Sequence, residues 1–246
     1  MTQLSAVPAQ DASPDSGPEL AGLAAHIQNT LVGQAVTAAA VAEHVRSAIE
    51  FGFNAITVPG CWVGYARELL AKSDDAVVAL GAILDFPYGS SATATRVAGA
   101  ASMVATGVDQ IDATVNIGLV LSDRRAEFQA DLTAVVQAAA PIPVKFMLEL
   151  PLLTAGQRDF VVDAAVEAGA AYVKNASRGS VGFADAATIR YLRRRVPSSV
   201  GVKASGGIGT AQQVRDLLAA GADLVGTSRG VAIVTGARCQ GGSLEQ

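Results

Sequence analysis

Short apolar runs alternate along the chain with longer amphipathic segments. The runs are rich in β-forming residues and too short for helices, so they predict buried strands. They lie near 27–30 and at 55–58, 77–86, 111–115, 142–149, 172–174, 200–204 and 224–227. Segments with helical periodicity lie at 36–51, 61–73, 91–106, 124–139, 155–168, 184–195 and 210–220. Four junctions carry a glycine that suits the left-handed position ending a helix: Gly52, Gly107, Gly169 and Gly221.

Eight strands alternating with helices in 246 residues predict an α/β fold, a single-domain (β/α)8 TIM barrel. A doubly wound open sheet is the alternative, but no glycine-rich dinucleotide fingerprint follows the first strand. We expect the barrel over 19–237. We expect a disordered N-terminal tail over 1–18, which is mostly Ser, Pro, Ala, Gln and Asp, and a C-terminal tail over 238–246.

Composition narrows the range of partners. Half of the residues are hydrophobic and 16% are charged, which is typical of strands buried on both faces. No apolar run is long enough to span a bilayer, so we expect no membrane partner. The net charge is −4 and there is no basic stripe, which argues against nucleic acid. The N-terminus lacks the basic and apolar regions of a secretory signal, so we expect a cytoplasmic protein.

The chain has too few cysteines and histidines for a disulfide framework or for the commonest metal and catalytic sites built from these residues. Cys61 and Cys239 are isolated, which argues against a disulfide framework or a zinc site. The only histidines are His26 and His44, so a Ser-His-Asp triad or a histidine-rich metal site has little to draw on. His44 falls on an amphipathic helix and is expected at the surface. We therefore expect no metal and no cofactor.

Lysine is scarce, with four residues against 14 arginines. Lys174 and Lys203 each lie at the end of a predicted strand, where a barrel carries its active site. Burial lowers the pKa of a lysine, and the neutral amine can attack a carbonyl to form a Schiff base. The alternative is that each ammonium reaches water or pairs with a carboxylate. Two lysines on neighbouring strands favour the catalytic interpretation, because perturbed groups cluster at functional sites.

A carboxylate within a predicted strand needs a partner. Asp112 is such a residue, and a lysine across the barrel is the expected one. A structural ion pair and a proton shuttle beside a Schiff-base lysine are both open interpretations. Lys145 and Glu149 are expected to pair within their own strand region in a supporting role. Other polar candidates at strand ends are Thr30, Thr57, Asp85, Asn116 and Ser228.

Glycine-rich loops follow the seventh and eighth strands, where barrels often bind phosphate through backbone N–H groups. Arg229 would add charge-assisted hydrogen bonds. The alternative role of the glycines is simple turn geometry. The candidate phosphate-binding residues of these loops are Gly206, Gly207, Gly226, Ser228 and Arg229.

Several motifs resemble those of the deoxyribose-phosphate aldolases. They are GVKASGGIGT (201–210), AGADLVGTSRGVAIV (220–234), QIDATVNIG (110–118), AYVKNAS (171–177), FPYGS (86–90) and LLT (152–154), in order over roughly 22–236. The resemblance implies a (β/α)8 barrel and a metal-independent class I lyase. Such enzymes reversibly cleave 2-deoxyribose 5-phosphate to acetaldehyde and glyceraldehyde 3-phosphate. It also implies that Lys174 is the Schiff-base lysine, Lys203 the second lysine that tunes it, and Asp112 the proton-relay acid.

The chain departs from the family pattern around the substrate. The family's Ile-Asp-His-Thr reads Ile-Gln-Asn-Thr at 27–30, and its Thr-Ser-Thr-Gly after the Schiff-base lysine reads Asn-Ala-Ser-Arg at 175–178. Asn175, Ser177 and Arg178 are candidate substrate-binding or phosphate-binding residues in this segment. Arg178 and Arg229 could hold a second anion such as a carboxylate. A diverged Schiff-base aldolase acting on another phosphorylated or carboxylated substrate is therefore one alternative. A non-catalytic barrel that binds a phosphorylated ligand is another, and the retained lysine pair argues against it. The expected partner is a small aldehyde or sugar phosphate, and the expected assembly is a homodimer.

Overall fold

The computed structural model describes residues 18–73 and 77–236. The expected terminal tails lie outside these residues, except that Pro18 begins the first helix. No helix within the described ranges combines the length and the apolarity needed to cross a membrane.

Eight parallel strands form a closed barrel in chain order, and the first strand pairs with the last. The strands are β1 (Ile27–Thr30), β2 (Ala55–Pro59), β3 (Ala79–Leu84), β4 (Gln110–Thr114), β5 (Val144–Met147), β6 (Tyr172–Lys174), β7 (Gly201–Ser205) and β8 (Leu224–Thr227). The predicted (β/α)8 barrel is confirmed. β3 and β5 are shorter than their predicted apolar runs by two residues at each end, because those residues belong to the flanking loops.

Helices surround the strands, and all of them except α1 follow a strand in sequence. The helices are α1 (Pro18–Ala24), α2 (Ala38–Phe51), α3 (Val63–Leu70), α4 (Thr93–Thr106), α5 (Ile117–Leu121), α6 (Arg125–Ala139), α7 (Ala155–Glu167), α8 (Ala186–Arg195), α9 (Ala211–Ala219) and α10 (Gly230–Thr235). Two 3-10 turns, Gly60–Trp62 and Leu150–Leu152, lie in loops. α5 and α10 are too short to show a periodic pattern, so the sequence did not predict them.

Local sequence explains where several helices begin and end. Gly52 and Gly107 have φ of 68° and 93° directly after α2 and α4, which confirms the predicted left-handed stops. Thr154 and Thr210 begin α7 and α9 with capping boxes, each exchanging hydrogen bonds with a glutamine three residues on. These signals mark where α2 and α4 end and where α7 and α9 begin.

Along β4, apolar and polar positions alternate, and both sets are buried. In β4, Ile111 and Ala113 alternate with Gln110, Asp112 and Thr114. Because successive side chains of a strand point to opposite faces, one set packs against the helices and the other lies inside the barrel. The interior of the barrel therefore holds buried polar and charged side chains, Gln110 and Asp112 among them.

The expectation that His44 lies at the surface is wrong. It is 8% exposed, on the same face of α2 as Val41, Val45 and Ala48. Its Nε2 lies 3.1 Å from the carbonyl oxygen of Asn29 and its Nδ1 lies 3.4 Å from Asn29 Nδ2. Burial lowers the pKa of His44 to about 4, although the Asn29 carbonyl partly opposes this. The imidazole can be buried because one residue of β1 supplies partners for both ring nitrogens.

Candidate active site

Three lysines converge on Asp112 inside the barrel. Lys203 Nζ lies 2.7 Å from Asp112 Oδ2, and Lys174 Nζ lies 3.2 Å from the same oxygen. Lys145 Nζ lies 3.8 Å from Oδ1. None of the four side chains is more than 4% exposed. The predicted pairing of Asp112 with a lysine is confirmed, and the carboxylate has three such neighbours where one was expected.

Strand register brings these groups together. Asp112 is opposite Lys145 in the β4–β5 pair, and Lys174 is opposite Lys203 in the β6–β7 pair. Lys174 is opposite Met147, two residues beyond Lys145, so Lys145 lies deeper in the barrel than Lys174. Of the two lysines on β5 and β6, Lys174 is therefore the one nearer the barrel mouth, where a substrate enters.

Burial and charge shift the pKa values of Asp112, Lys203 and Lys145 by different amounts. Burial would raise the pKa of Asp112, but Lys203, Lys174 and Lys145 together hold it well below its usual range. Burial lowers the pKa of Lys203 to about 7, and Lys174 and Lys145 add to this effect while Asp112 opposes it. Burial likewise lowers the pKa of Lys145 to about 8. Near neutral pH, Asp112 is charged, whereas Lys203 exists in both protonation states.

A chain of amides connects two of the lysines. Gln28 Oε1 accepts a hydrogen bond from Lys203 Nζ at 2.6 Å. Gln28 Nε2 donates to Asn54 Oδ1 at 2.9 Å and to Gln110 Oε1 at 3.1 Å. Gln110 Oε1 also accepts a short hydrogen bond from Lys145. Sequence reasoning missed Asn54 and Gln110, although the place of Gln110 two residues before Asp112 in a period-two strand could have marked it.

The expected pairing of Lys145 with Glu149 is wrong. Glu149 lies beyond the end of β5 with a left-handed φ of 50°, which turns it away from the strand. Its Oε1 accepts a hydrogen bond from the backbone N–H of Ser177 at 3.1 Å, and its Oε2 is buried without a hydrogen-bond partner among the described residues. Burial raises the pKa of Glu149, against the opposing effects of Ser177, Lys174 and Arg178.

The loop after β6 holds three of the sequence-predicted substrate residues. Asn175 is buried and joins β6 to β7, because Nδ2 donates to the Ser205 carbonyl at 2.9 Å and Oδ1 accepts from the Ser205 N–H at 2.8 Å. The Ser177 hydroxyl is buried with no hydrogen-bond partner in the described ranges. The Arg178 guanidinium lies 5.6 Å from the ring centroid of Tyr88. Ser177 and Arg178 are thus placed at the mouth, whereas Asn175 fixes the strands below it.

The loops after β7 and β8 come together as the sequence predicted. Gly206 and Gly207 have left-handed φ of 109° and 67°, and a Cβ on either would clash with Gly182 or Phe183. Arg229 lies over the same loop, because a Cβ on Gly209 would come within 3.0 Å of its guanidinium. Ser228 is exposed beside Arg229.

Thr227 joins the two loops. Its hydroxyl donates to the Ile208 carbonyl at 2.7 Å and accepts from the Arg229 N–H at 3.0 Å. Gly226 is not in the loop: it lies inside β8, where a Cβ would come within 2.9 Å of Lys203 Cε. Its lack of a side chain makes room for that lysine.

Three of the four other strand-end candidates have local partners. Asp85 forms a 2.8 Å ion pair with the buried Arg96. Asn116 accepts from the Leu119 N–H at the start of α5, and the Thr30 hydroxyl donates to the Gln28 carbonyl. The Thr57 hydroxyl is buried without a partner in the described part of the chain. The same ranges hold no group of three or more His, Cys, Asp or Glu residues placed to bind a metal ion.

Relatives and solved structures similar to this chain include several deoxyribose-phosphate aldolases. No protein-family model matches the chain. It is 36% identical over 216 residues to the deoxyribose-phosphate aldolase of Enterococcus faecalis, covering 87% of this chain and 97% of that protein. It is equally similar to the deoxyribose-phosphate aldolase of Brevibacillus brevis, covering 88% and 96%. The solved structure of the deoxyribose phosphate aldolase from Aeropyrum pernix, a tetramer, superimposes with a TM-score of 0.77 at 27% identity, covering 87% and 90%.

Proposed function

The chain belongs to the deoxyribose-phosphate aldolase family, and we propose that it is a class I aldolase that reversibly cleaves 2-deoxyribose 5-phosphate to acetaldehyde and glyceraldehyde 3-phosphate. The observation that carries the proposal is the side-by-side placement of Lys174 and Lys203 on one oxygen of Asp112. A barrel that only binds a phosphorylated ligand has no need for two buried lysines at one carboxylate, because burying them costs free energy.

Lys174 is the proposed nucleophile. It is nearer the mouth than Lys145, and its contact with Asp112 is longer than that of Lys203. Its neutral amine attacks C1 of the open-chain sugar, and loss of water gives a protonated imine. Removal of the C3 hydroxyl proton then breaks the C2–C3 bond and releases glyceraldehyde 3-phosphate. The electron pair passes to the imine as an enamine, C2 takes up a proton, and hydrolysis releases acetaldehyde and the free lysine.

Lys203 is the proposed proton-transfer group. A general acid or base works best when its pKa is near the working pH, and burial places the pKa of Lys203 at about 7. Asp112, with its pKa held far below neutrality, stays charged and serves as the hydrogen-bond acceptor that aligns both lysines. This assigns to Lys203 the proton relay that the resemblance implied for Asp112.

The loops after β7 and β8 are the proposed phosphate site. Gly206 and Gly207 would offer backbone N–H groups, and Ser228 and Arg229 would add a hydroxyl and a charge. Arg178 and Ser177 would contact the sugar or the phosphate from the loop after β6. In this proposal Gly226 contributes indirectly by admitting Lys203, and Asn175 by holding β6 against β7.

Covalent trapping tests the function. The protein is incubated with acetaldehyde, reduced with borohydride and digested, and the adduct is located by mass spectrometry. We expect the adduct on Lys174, loss of trapping and of retro-aldol cleavage in Lys174→Met, and no loss in the control Lys72→Met, whose side chain is exposed. An unlabelled Lys174 would refute the Schiff-base assignment.

The cleavage assay separates the remaining alternatives. Trapping on Lys174 with background cleavage of deoxyribose 5-phosphate would indicate a diverged substrate. Absence of both, with retained phosphate binding, would indicate a non-catalytic barrel. Activity that EDTA abolishes would contradict the metal-independent class.

Assembly and location are proposed separately. We expect a homodimer, which light scattering distinguishes from a tetramer such as that of Aeropyrum pernix. A cytoplasmic location also stays a prediction, to be checked by cell fractionation. The barrel boundaries of 19–237 can be tested by expressing that segment alone and assaying its cleavage activity.

A further inference from the structure

The amide chain beneath the lysines is buried and continuous. It runs from Lys203 through Gln28 and Gln110 to Lys145, and the two glutamines are 1% and 7% exposed. It connects strands β7, β1, β4 and β5 across the floor of the lysine cluster. Asn54 takes the second N–H of Gln28 at 2.9 Å. The amide chain therefore touches two of the three lysines without touching the proposed nucleophile.

The direction of each amide is fixed by its neighbours. Gln28 must point its NH2 group towards Asn54 Oδ1 and Gln110 Oε1, so its own oxygen faces Lys203. Gln110 Nε2 finds no acceptor among the described residues. Reversing Gln110 would put that NH2 group against two donors, Lys145 Nζ and Gln28 Nε2. Both lysines consequently meet an amide oxygen, which only accepts.

An amide oxygen and a carboxylate differ in which protonation state of a neighbouring amine they favour. An amide accepts a hydrogen bond from either a neutral amine or an ammonium ion, whereas a carboxylate strongly favours the ammonium. Lys203 faces Asp112, Lys174 and Lys145, and it also donates a hydrogen bond to the uncharged Gln28. Lys145 faces Asp112, Lys174, Gln110 and the Tyr172 ring at 5.3 Å. Glu149 acts on Lys174 from the mouth side.

We propose that Gln28 and Gln110 are positioning residues that leave Lys203 and Lys145 able to lose a proton, by presenting amide oxygens where carboxylates would hold the protons. The inference deepens the proposed aldolase function, on which its catalytic meaning rests. In the described part of the chain, Asp112 is the one carboxylate within 4 Å of the three amines, so a single negative charge has to balance all of them if all are ammonium ions. Lys203 can therefore exchange protons with the substrate at neutral pH.

The four lysines of the chain make the test direct. Lysine labelled with carbon-13 at Cε gives four NMR signals, assigned by single Lys→Met variants and followed against pH in the absence of substrate. We expect the pKa of Lys203 near 7 and that of Lys145 near 8 in the wild type. In Gln28→Glu, the pKa of Lys203 should rise by about one to three, since a carboxylate replaces the amide oxygen. In Gln110→Glu, the same rise should appear at Lys145.

Two controls isolate the charge effect. Gln28→Met removes the hydrogen bond without adding charge, and should raise neither lysine pKa. Gln137→Glu adds a carboxylate on the exposed face of α6, and should leave all four signals unchanged. The pH at which acetaldehyde trapping is half-maximal should move to higher pH in Gln28→Glu, and stay unchanged in Gln137→Glu.

The result that overturns the inference does not depend on activity. If Gln28→Glu and Gln110→Glu fold and their lysines titrate as in the wild type, the amides do not control ionisation. If neither variant folds, the wild-type titration decides: signals of Lys203 and Lys145 that titrate only near the ordinary lysine pKa of about 10.4 would refute it. Shifted lysines in a protein without aldolase activity would uphold the inference and refute the proposed function.

Discussion

Lys203 lies closer to Asp112 than Lys174 does. Its Nζ is 2.7 Å from Asp112 Oδ2, whereas Lys174 Nζ is 3.2 Å from the same oxygen. The two lysines therefore share one acceptor unequally. The more loosely held lysine is free to leave the carboxylate and form an imine, while the more tightly held one stays in place to move protons. This geometry gives the two lysines separate tasks, and the following predictions depend on it.

Removing the shared charge should damage both stability and catalysis. In Asp112→Asn, three buried amines lose the one carboxylate that lies within 4 Å of them among the described residues, which should cost about 3–5 kcal/mol at neutral pH. Urea unfolding measures this change. Because Lys203 and Lys145 shed protons more readily without Asp112, part of the lost stability should return at pH 9. Equal losses at pH 7 and pH 9 would contradict the assigned role of the charge.

Gly226→Ala should impair catalysis without removing any functional group. The added Cβ would come within 2.9 Å of Lys203 Cε, and the flexible side chain must move away. We expect kcat to fall about tenfold or more, since displacement of an acid–base group is costly, with a small change in unfolding free energy. Gly156→Ala in α7 is the matched control, because its Cβ would meet nothing within 4 Å. Unchanged kcat in Gly226→Ala would place Lys203 outside the proton pathway.

His44 should make the fold sensitive to mild acid. Its pKa is about 4 in the folded chain and about 6.5 when unfolded, so between these values the unfolded chain binds a proton that the folded chain does not. Stability is full above pH 6.5 and should fall by about 3 kcal/mol as the pH reaches 4. His44→Gln should reduce this slope in urea titrations across that range. An unchanged slope would assign the acid sensitivity to other groups.

Arg229 should serve the phosphate and not the carbonyl chemistry. Loss of a charge-assisted hydrogen bond of about 1.5–3 kcal/mol should raise KM for deoxyribose 5-phosphate about tenfold to a hundredfold in Arg229→Ala. Cleavage of unphosphorylated 2-deoxyribose should change little. Arg46→Ala removes an exposed arginine of α2 and is the control. Equal losses with both sugars would contradict a phosphate role.

Local sequence patterns predicted the barrel and the position of its main cluster. Eight buried runs, with glycine stops such as Gly52, place strands and crossovers correctly, because these signals act over a few residues. Lys174 and Lys203 were predicted to lie together, because parallel neighbours end at the same edge of the sheet.

The contacts that were missed join residues far apart in sequence. Gln28 reaches Gln110 and Lys203 across 82 and 175 residues, and no periodic pattern encodes such a pair. Lys145 was assigned to Glu149 because the two are near in sequence, but the left-handed turn at Glu149 breaks that alignment. His44 was assigned to the surface as a polar residue, and only the neighbouring Asn29 makes its burial acceptable.

Because the first and last strands of the barrel pair with each other, we expect this pair to set when the protein becomes active. β1 is the first strand to be synthesised and β8 the last, and Gln28 stands opposite Gly226 where they meet. Contacts of such long sequence separation form late and slowly, because the intervening chain must be ordered first. A nascent chain that ends before β8 holds Lys174 and Lys203 but leaves β1 without its second neighbour. After denaturation, we therefore expect aldolase activity to return at the rate at which β1 pairs with β8, and later than the helical signal.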